Sequence, residues 1–261
     1  MTTATPRPTD VYFFATCVVD QFFPGAGLDA ITLLERLGLR VHFPEEQTCC
    51  GQPAYTSGFP EEARKVAAHQ LTLFPNDWPV VVPSGSCAGM MKHHYPTLFA
   101  ADPVRKAQAE KLSGRIYEFT RFLVDVLDYK PQDSGGACTV VLHTSCSARR
   151  EMNVHTSGKK LLGELAKVTL AQQDHEAECC GFGGTFSIKQ PEISGAMVED
   201  KVEALKASGA ERVVSADCGC LMNILGHAAW KDRQAGLSQP SLPGEHIASF
   251  LLRRTSKENA Q

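Results

Sequence analysis

The sequence predicts an α/β protein made of two pseudo-repeated domains, each a mostly parallel sheet flanked by helices. Three observations carry that expectation. A cysteine pattern occurs twice, as Cys17, Cys49-Cys50-Gly51, Cys87 and again as Cys146, Cys179-Cys180-Gly181, Cys220. Within each copy, β-rich apolar runs alternate with stretches of helical periodicity, as in parallel sheets joined by crossover helices. The length of 261 residues accommodates two domains of ordinary size, placed here at 1–130 and 137–261.

In the first copy, Val11-Tyr12-Phe13-Phe14 is a short strand leading to Cys17. Gly25 and Gly27 open a helix with Leu28, Ile31, Leu34 and Leu37 at helical spacing, and Gly38 stops it. Leu39 to Phe43 reads as a second strand closing before Cys49. Pro60, with Glu61 and Glu62 in the first turn, starts a helix that runs to Phe74. Val80-Val81-Val82 is a third strand, and Pro83 to Cys87 is the loop after it.

The second copy keeps the same order. Thr139 to Leu142 is a strand near Cys146, Lys160 to Ala166 is helical, and Val168 to Leu170 is a strand leading to Cys179. Pro191 to Ala207 is a helix, Arg212 to Val214 a strand ending at Asp217-Cys218-Gly219-Cys220, and Leu221 to Trp230 a helix. Between the copies, Pro103 to Leu127 has a helical pattern, and the turn-rich Asp128 to Gly136 reads as a linker. The polar tail Thr255 to Gln261 is expected to be disordered.

In this order every ligand-type cysteine falls after a strand or beside a helix start, the edge where open α/β sheets bind ligands. There are 31 residues between Cys17 and Cys49 and 32 between Cys146 and Cys179. Apolar packing requires neither that recurrence nor adjacent cysteines. Eight of the ten cysteines belong to the repeat, which leaves Cys138 as a core residue and Cys218 open between spare ligand and bystander.

A formal charge of −3 gives no electrostatic reason to expect nucleic acid. No run of 18 apolar residues exists, and Met1 to Asp10 lacks a basic-then-apolar signal, so a cytoplasmic protein without a transmembrane segment is expected. Clustered thiols in a reducing compartment are metal ligands or redox groups more often than structural disulfides.

Three chemistries follow. Iron–sulfur binding stands first, because each copy offers the four thiolates that such clusters use. Zinc stands second, since structural zinc usually takes Cys-x-x-Cys knuckles and these cysteines are directly adjacent. A thiol–disulfide relay through vicinal pairs at Cys49-Cys50 and Cys179-Cys180 is third, and leaves Cys17, Cys87, Cys146 and Cys220 without a role. Gly51 and Gly181 are the cofactor-binding candidates, where the backbone needs positive φ or close approach to a cofactor. Gly183 and Gly184 extend the motif. Lys92, His93, His94, Arg149 and Arg150 flank the cysteines and could balance an anionic cluster, with a solvated face the simpler reading for His94 and Arg150. His143 and His175 are read as packing or surface residues. Gly181-Phe182-Gly183-Gly184 lacks the lysine of a phosphate loop.

The repeated Cys…Cys-Cys-Gly…Cys pattern resembles the cysteine-rich domain of heterodisulfide reductase, which recurs in iron–sulfur subunits of glycolate oxidase and anaerobic glycerol-3-phosphate dehydrogenase. From Val11 to Leu252 the chain is similar to the lactate-utilisation protein A family, also called the E subunit of the L-lactate dehydrogenase iron–sulfur complex. The resemblance rests on Thr16 to Pro24, Phe43 to Pro53, Pro83 to Cys87, Glu178 to Phe186 and Asp217 to Asn223. It implies an iron–sulfur electron-transfer subunit, with one or two clusters of the 4Fe-4S kind, in a cytosolic complex oxidising L-lactate to pyruvate. It also implies companion iron–sulfur and accessory subunits. The reductase pattern ends in Cys-x-x-Cys and supplies five thiolates, whereas here Ser84 and Asp217 replace the first cysteine of that pair. A conventional four-thiolate cluster therefore enters beside the noncubane one, and disulfide-cleaving chemistry is in doubt. A redox-silent metal module that assembles a complex is the alternative. No Gly-x-Gly-x-x-Gly fingerprint is visible, so substrate chemistry is expected in a partner or at an interface.

Overall fold

A computed structural model describes residues 7–256. The expectations for Met1 to Pro6 and for 257–261 lie outside the described residues, while Thr255 and Ser256 are placed.

Each copy forms one four-stranded, all-parallel sheet. The first contains β1 (Asp10–Phe13), β2 (Arg40–His42), β3 (Val80–Val82) and β4 (Ile116–Glu118), in the order β2-β1-β3-β4. The second contains β5 (Cys138–His143), β6 (Val168–Ala171), β7 (Arg212–Ser215) and β8 (Gly244–His246), in the order β6-β5-β7-β8. The identical order is the structural form of the sequence repeat. In both sheets the chain reverses direction across the sheet after its first strand pair. The crevice at that reversal lies between β1 and β3, and between β5 and β7.

Strands β4 and β8 are additions to the expected elements. The stretch 103–127 is a helix (Pro103–Ser113), then β4, then a short helix at Phe119–Arg121 that runs on as a π-helical turn (Phe122–Val126). The first-copy helix starts at Pro24 rather than Gly25, and a separate short helix, Cys17–Phe22, precedes it. Its buried face is Ala26, Gly27, Ala30, Leu33 and Leu34, while Leu28 is exposed. The small residues win that face because they let the helix lie close. The helix expected at 60–74 ends at Gln70, the one expected at 160–166 spans Val154–Gly163, and that expected at 221–230 spans Cys218–Gln234.

The copies exchange their last helices. Ile247–Arg254, which follows β8, packs on Pro24–Arg36 of the first copy. The helical turns after β4 pack on Val154–Gly163 of the second. An apolar core that spans both copies results, running from Phe13, Val81 and Phe122 to Leu142, Leu161 and Phe250, beside a separate cluster of Val198, Val202, Leu205 and Ile224 in the second copy. Glycine permits the closest approach. Helix Gly85–Gly89 crosses Cys146–Met152, and a Cβ on Gly85 would lie 2.2 Å from the Ala148 Cβ.

The turn-rich linker is tied down rather than loose. The Asp133 carboxylate accepts from Arg254 (2.7 Å) and from the Lys167 and Gly135 amides, and both ion-pair side chains are buried. Arg254 also reaches the Gly136 carbonyl and the Cys138 sulfur. Cys138, half-buried, packs against the core edge as expected of a core cysteine.

Candidate metal centre

The loops after the strands bring the eight repeat cysteines to the carboxyl ends of the two sheets. Thr16 caps the helix Cys17–Phe22, its hydroxyl accepting from the Val19 amide, and Ser145 does the same for Cys146–Met152 through Ala148. These caps place Cys17 and Cys146 at equivalent helix starts. Cys87 and Cys220 sit in the first turns of the helices that follow β3 and β7. Cys49-Cys50 and Cys179-Cys180 lie in the loops after β2 and β6.

Within the first copy the Cys17 thiol donates to the Cys49 sulfur at 3.7 Å, and the Cys50 thiol to the Cys87 sulfur at 3.2 Å. The Gly51 amide donates to the Cys49 sulfur at 3.4 Å, and the Gly181 amide repeats this with Cys179 at 3.4 Å. Both glycines have left-handed backbones, φ +86° and +81°. A Cβ on Gly181 would lie 2.6 Å from the Ser194 carbonyl oxygen. The glycines therefore turn the chain against a helix and aim an amide at a sulfur. Hydrogen bonds from Cys17 and Cys50 hold the Cys49 thiol well below the ordinary thiol range, and Cys146 and Cys180 do so for Cys179. The same bonds, with burial, push Cys17, Cys50, Cys146 and Cys180 up. All ten cysteines are free thiols.

The two sets of thiols line one cleft. A cavity of about 580 Å³ is walled by all eight repeat cysteines together with Cys218, Phe182 and Phe186. That volume is in the range of small-molecule and cofactor sites.

Between the two sets lies a polar clamp. The buried Asp217 carboxylate accepts from the hydroxyls of Ser84 (2.9 Å), Ser86 (2.8 Å) and Ser145 (2.6 Å) and from the Ser86 amide (3.2 Å). Ser84 and Asp217, which stand where the reductase pattern that the chain resembles has a cysteine, thus bond each other across the copies. Their oxygens are already engaged, which was not legible from the chain.

Cys218 is nearly inaccessible and packs on Val19 and Ala26 of the first copy. By position it corresponds to Gly85, and Val19 to Ala148, so the two helix crossings are filled by Cys–Val on one side and Gly–Ala on the other. His143 is fully buried, with a ring nitrogen within 4.8 Å of the Cys180 and Cys220 sulfurs. It is thus a packing residue that also faces the thiols, which the sequence did not signal. His175 is exposed and paired with Glu178. Of the flanking residues, His93 binds the Glu151 carbonyl, Lys92 the Ser113 and Ile116 carbonyls, and Arg149 pairs with Glu176.

Among the described residues no helix is long and apolar enough to cross a membrane.

Comparison with known proteins adds three findings. The cysteine-rich domain family matches residues 11–92 and again 140–225. The chain is similar to lactate utilization protein A of Shouchella clausii, 47% identical over 83% of this chain and 90% of that one. It is also similar to lactate utilization protein A of Bacillus subtilis and of Geobacillus kaustophilus, at 44% and 43% identity, each over 92% of this chain and 98% of the other. In fold it matches the crystal structure of a hypothetical protein from Helicobacter pylori, with a TM-score of 0.66 at 11% identity, covering 99% of this chain and 52% of that one.

Proposed function

The chain belongs to the lactate utilization protein A family and carries two cysteine-rich domains, and from that premise we propose an iron–sulfur electron-transfer subunit of a cytoplasmic system that oxidises L-lactate to pyruvate. The observation that carries the proposal is the convergence of two sets of four thiols on one cleft. Cys17, Cys49, Cys50 and Cys87 would hold one group, and Cys146, Cys179, Cys180 and Cys220 the other.

The residues fit such a group. The donors are all sulfur, free and close, and backbone amides point at Cys49 and Cys179. Bound there, groups of the 4Fe-4S kind supply one-electron transfer. The protein's own part is to hold the thiolates, donate amide hydrogen bonds to them and limit water. Phe182 and Phe186 give the cleft an apolar wall, and the Asp217 clamp keeps the two sets in fixed relation. Hydrogen bonding and exposure at the sulfurs set reduction potentials in such sites.

Lactate oxidation removes two electrons and needs a two-electron acceptor beside a base. The sequence carries no Gly-x-Gly-x-x-Gly dinucleotide fingerprint, so companion iron–sulfur and accessory subunits are assigned the substrate step. The free thiols suit a reducing compartment. A second reading, a zinc-holding assembly module, draws support from the compact His143, Cys180 and Cys220 group.

Iron and acid-labile sulfide analysis of anaerobically prepared protein, with absorption and EPR spectra, separates the two. Equal iron and sulfide with a reversible dithionite-reduced signal is the expected result. A colourless protein that takes zinc and, even after reconstitution, no iron would overturn the proposal.

A further inference from the structure

The second copy carries a group that the first lacks. His143 ends β5 and has no solvent exposure. Neither of its ring nitrogens has a hydrogen-bond partner. Buried polar atoms are nearly always paired, and a neutral imidazole has one N–H to give and one lone pair to fill. A ring nitrogen lies within 4.8 Å of both the Cys180 and the Cys220 sulfurs.

The counterpart position shows that packing does not demand a histidine. His143 stands three residues before Cys146, and Phe14 three before Cys17. Phe14 is equally buried and meets Phe74 edge-on, with ring centroids 6.4 Å apart. A phenyl ring therefore satisfies this position of the fold. In the second copy the fold carries instead an imidazole with two unfilled bonding positions.

We propose that His143 contacts the group held by Cys146, Cys179, Cys180 and Cys220, as a nitrogen donor that the first site does not have. This rests on the reading that those thiols hold iron and sulfide. An imidazole N–H given to one of these thiolates draws electron density from the group and raises its reduction potential. The two sites are then unequal, and electrons entering the cleft settle on the second.

Lys201 works in the same direction from a distance. It and Gln70 each lie ten residues after the proline that opens their helix. Lys201 is buried, donates to the His175 carbonyl, and its field acts on Cys179, Cys180 and Cys220. The first copy has a neutral amide at this place.

The test uses the full chain, loaded anaerobically with iron and sulfide and labelled with nitrogen-15 histidine. Pulsed EPR of the reduced protein reads nitrogen coupling, and a redox titration reads each site's potential. Wild type is expected to show strong histidine coupling on one of two signals, the one with the higher potential. His143→Phe, which copies Phe14, is expected to lose that coupling and to bring the two potentials together. His143→Gln keeps a polar side chain should the phenyl variant fold poorly, and is expected to lose the coupling too. Lys201→Gln, which copies Gln70, is expected to lower the second potential and keep the coupling. Coupling that is absent from iron-loaded wild type, or that persists in His143→Phe or His143→Gln, would overturn the assignment. Should wild type take up no iron, the underlying reading fails separately. Cobalt(II) then probes His143 alone, and identical d–d spectra for wild type and His143→Gln would overturn it.

Discussion

Asp217 shows how one side chain can tie together the loops that carry two sets of thiols. It is nearly inaccessible, and its four hydrogen bonds all come from other loops, three of them from the first copy. Asp217→Ala strands three hydroxyls and an amide, and is expected to cost roughly 2–4 kcal/mol, read by chemical denaturation. A loss below about 0.5 kcal/mol would mean that the clamp contributes little to stability. Cys218 should behave as a small apolar residue. Cys218→Ala is expected to keep metal at the second site, whereas Cys220→Ser is expected to lose it, as measured by metal content per chain. Equal losses would make Cys218 a ligand. At this scale the sequence was most informative about the thiols, because adjacent cysteines at recurring spacing serve ligation or redox chemistry and have no use in apolar packing. It was silent on Asp217 and His143, whose partners lie on distant segments and whose residue types are common in loops and cores.

Glu118 ends a strand, and Asp133 sits in the linker between the copies. Glu118 ends β4, caps the next helix through the Arg121 amide, and leaves one carboxylate oxygen buried without a partner. Burial pushes its pKa up from 4.5 to about 7. A carboxyl group raised in the folded state contributes stability that is present below its unfolded value and lost as pH rises through the folded one. Wild type should therefore lose roughly 3 kcal/mol relative to Glu118→Gln between about pH 4 and about pH 8. Parallel pH profiles for the two proteins would contradict this. The Asp133–Arg254 pair joins the linker to the last helix, and both side chains are buried. Asp133→Ala leaves a buried guanidinium unpaired and is expected to cost about 3–5 kcal/mol in denaturation. Most elements were legible from periodicity and turn residues. β4 and β8 were not, because Ile116-Tyr117-Glu118 and Gly244-Glu245-His246 are three residues long and lack an apolar run.

At the scale of the molecule, the exchanged helices and a core that spans both copies join them around a shared thiol-lined cleft. Spacing within a copy carries no information about where the other copy sits, so the facing of the two sites was not legible. Under the proposed function the shared cleft would serve as a relay, with entry at one set of thiols, exit at the other and the two-electron chemistry in a companion subunit. The isolated chain should accordingly show no lactate-dependent dye reduction until companion subunits are added. Robust turnover by the single chain, free of flavin, would place the active site here instead. The most direct measurement of the central claim is EPR of the dithionite-reduced protein alongside Cys50→Ser and Cys180→Ser, each of which disables one site. Two loaded sites in one cleft predict a wild-type spectrum split by spin–spin coupling and a simple, unsplit signal in each variant. A wild-type spectrum equal to the sum of the two variants, or a wild type without iron, would contradict it.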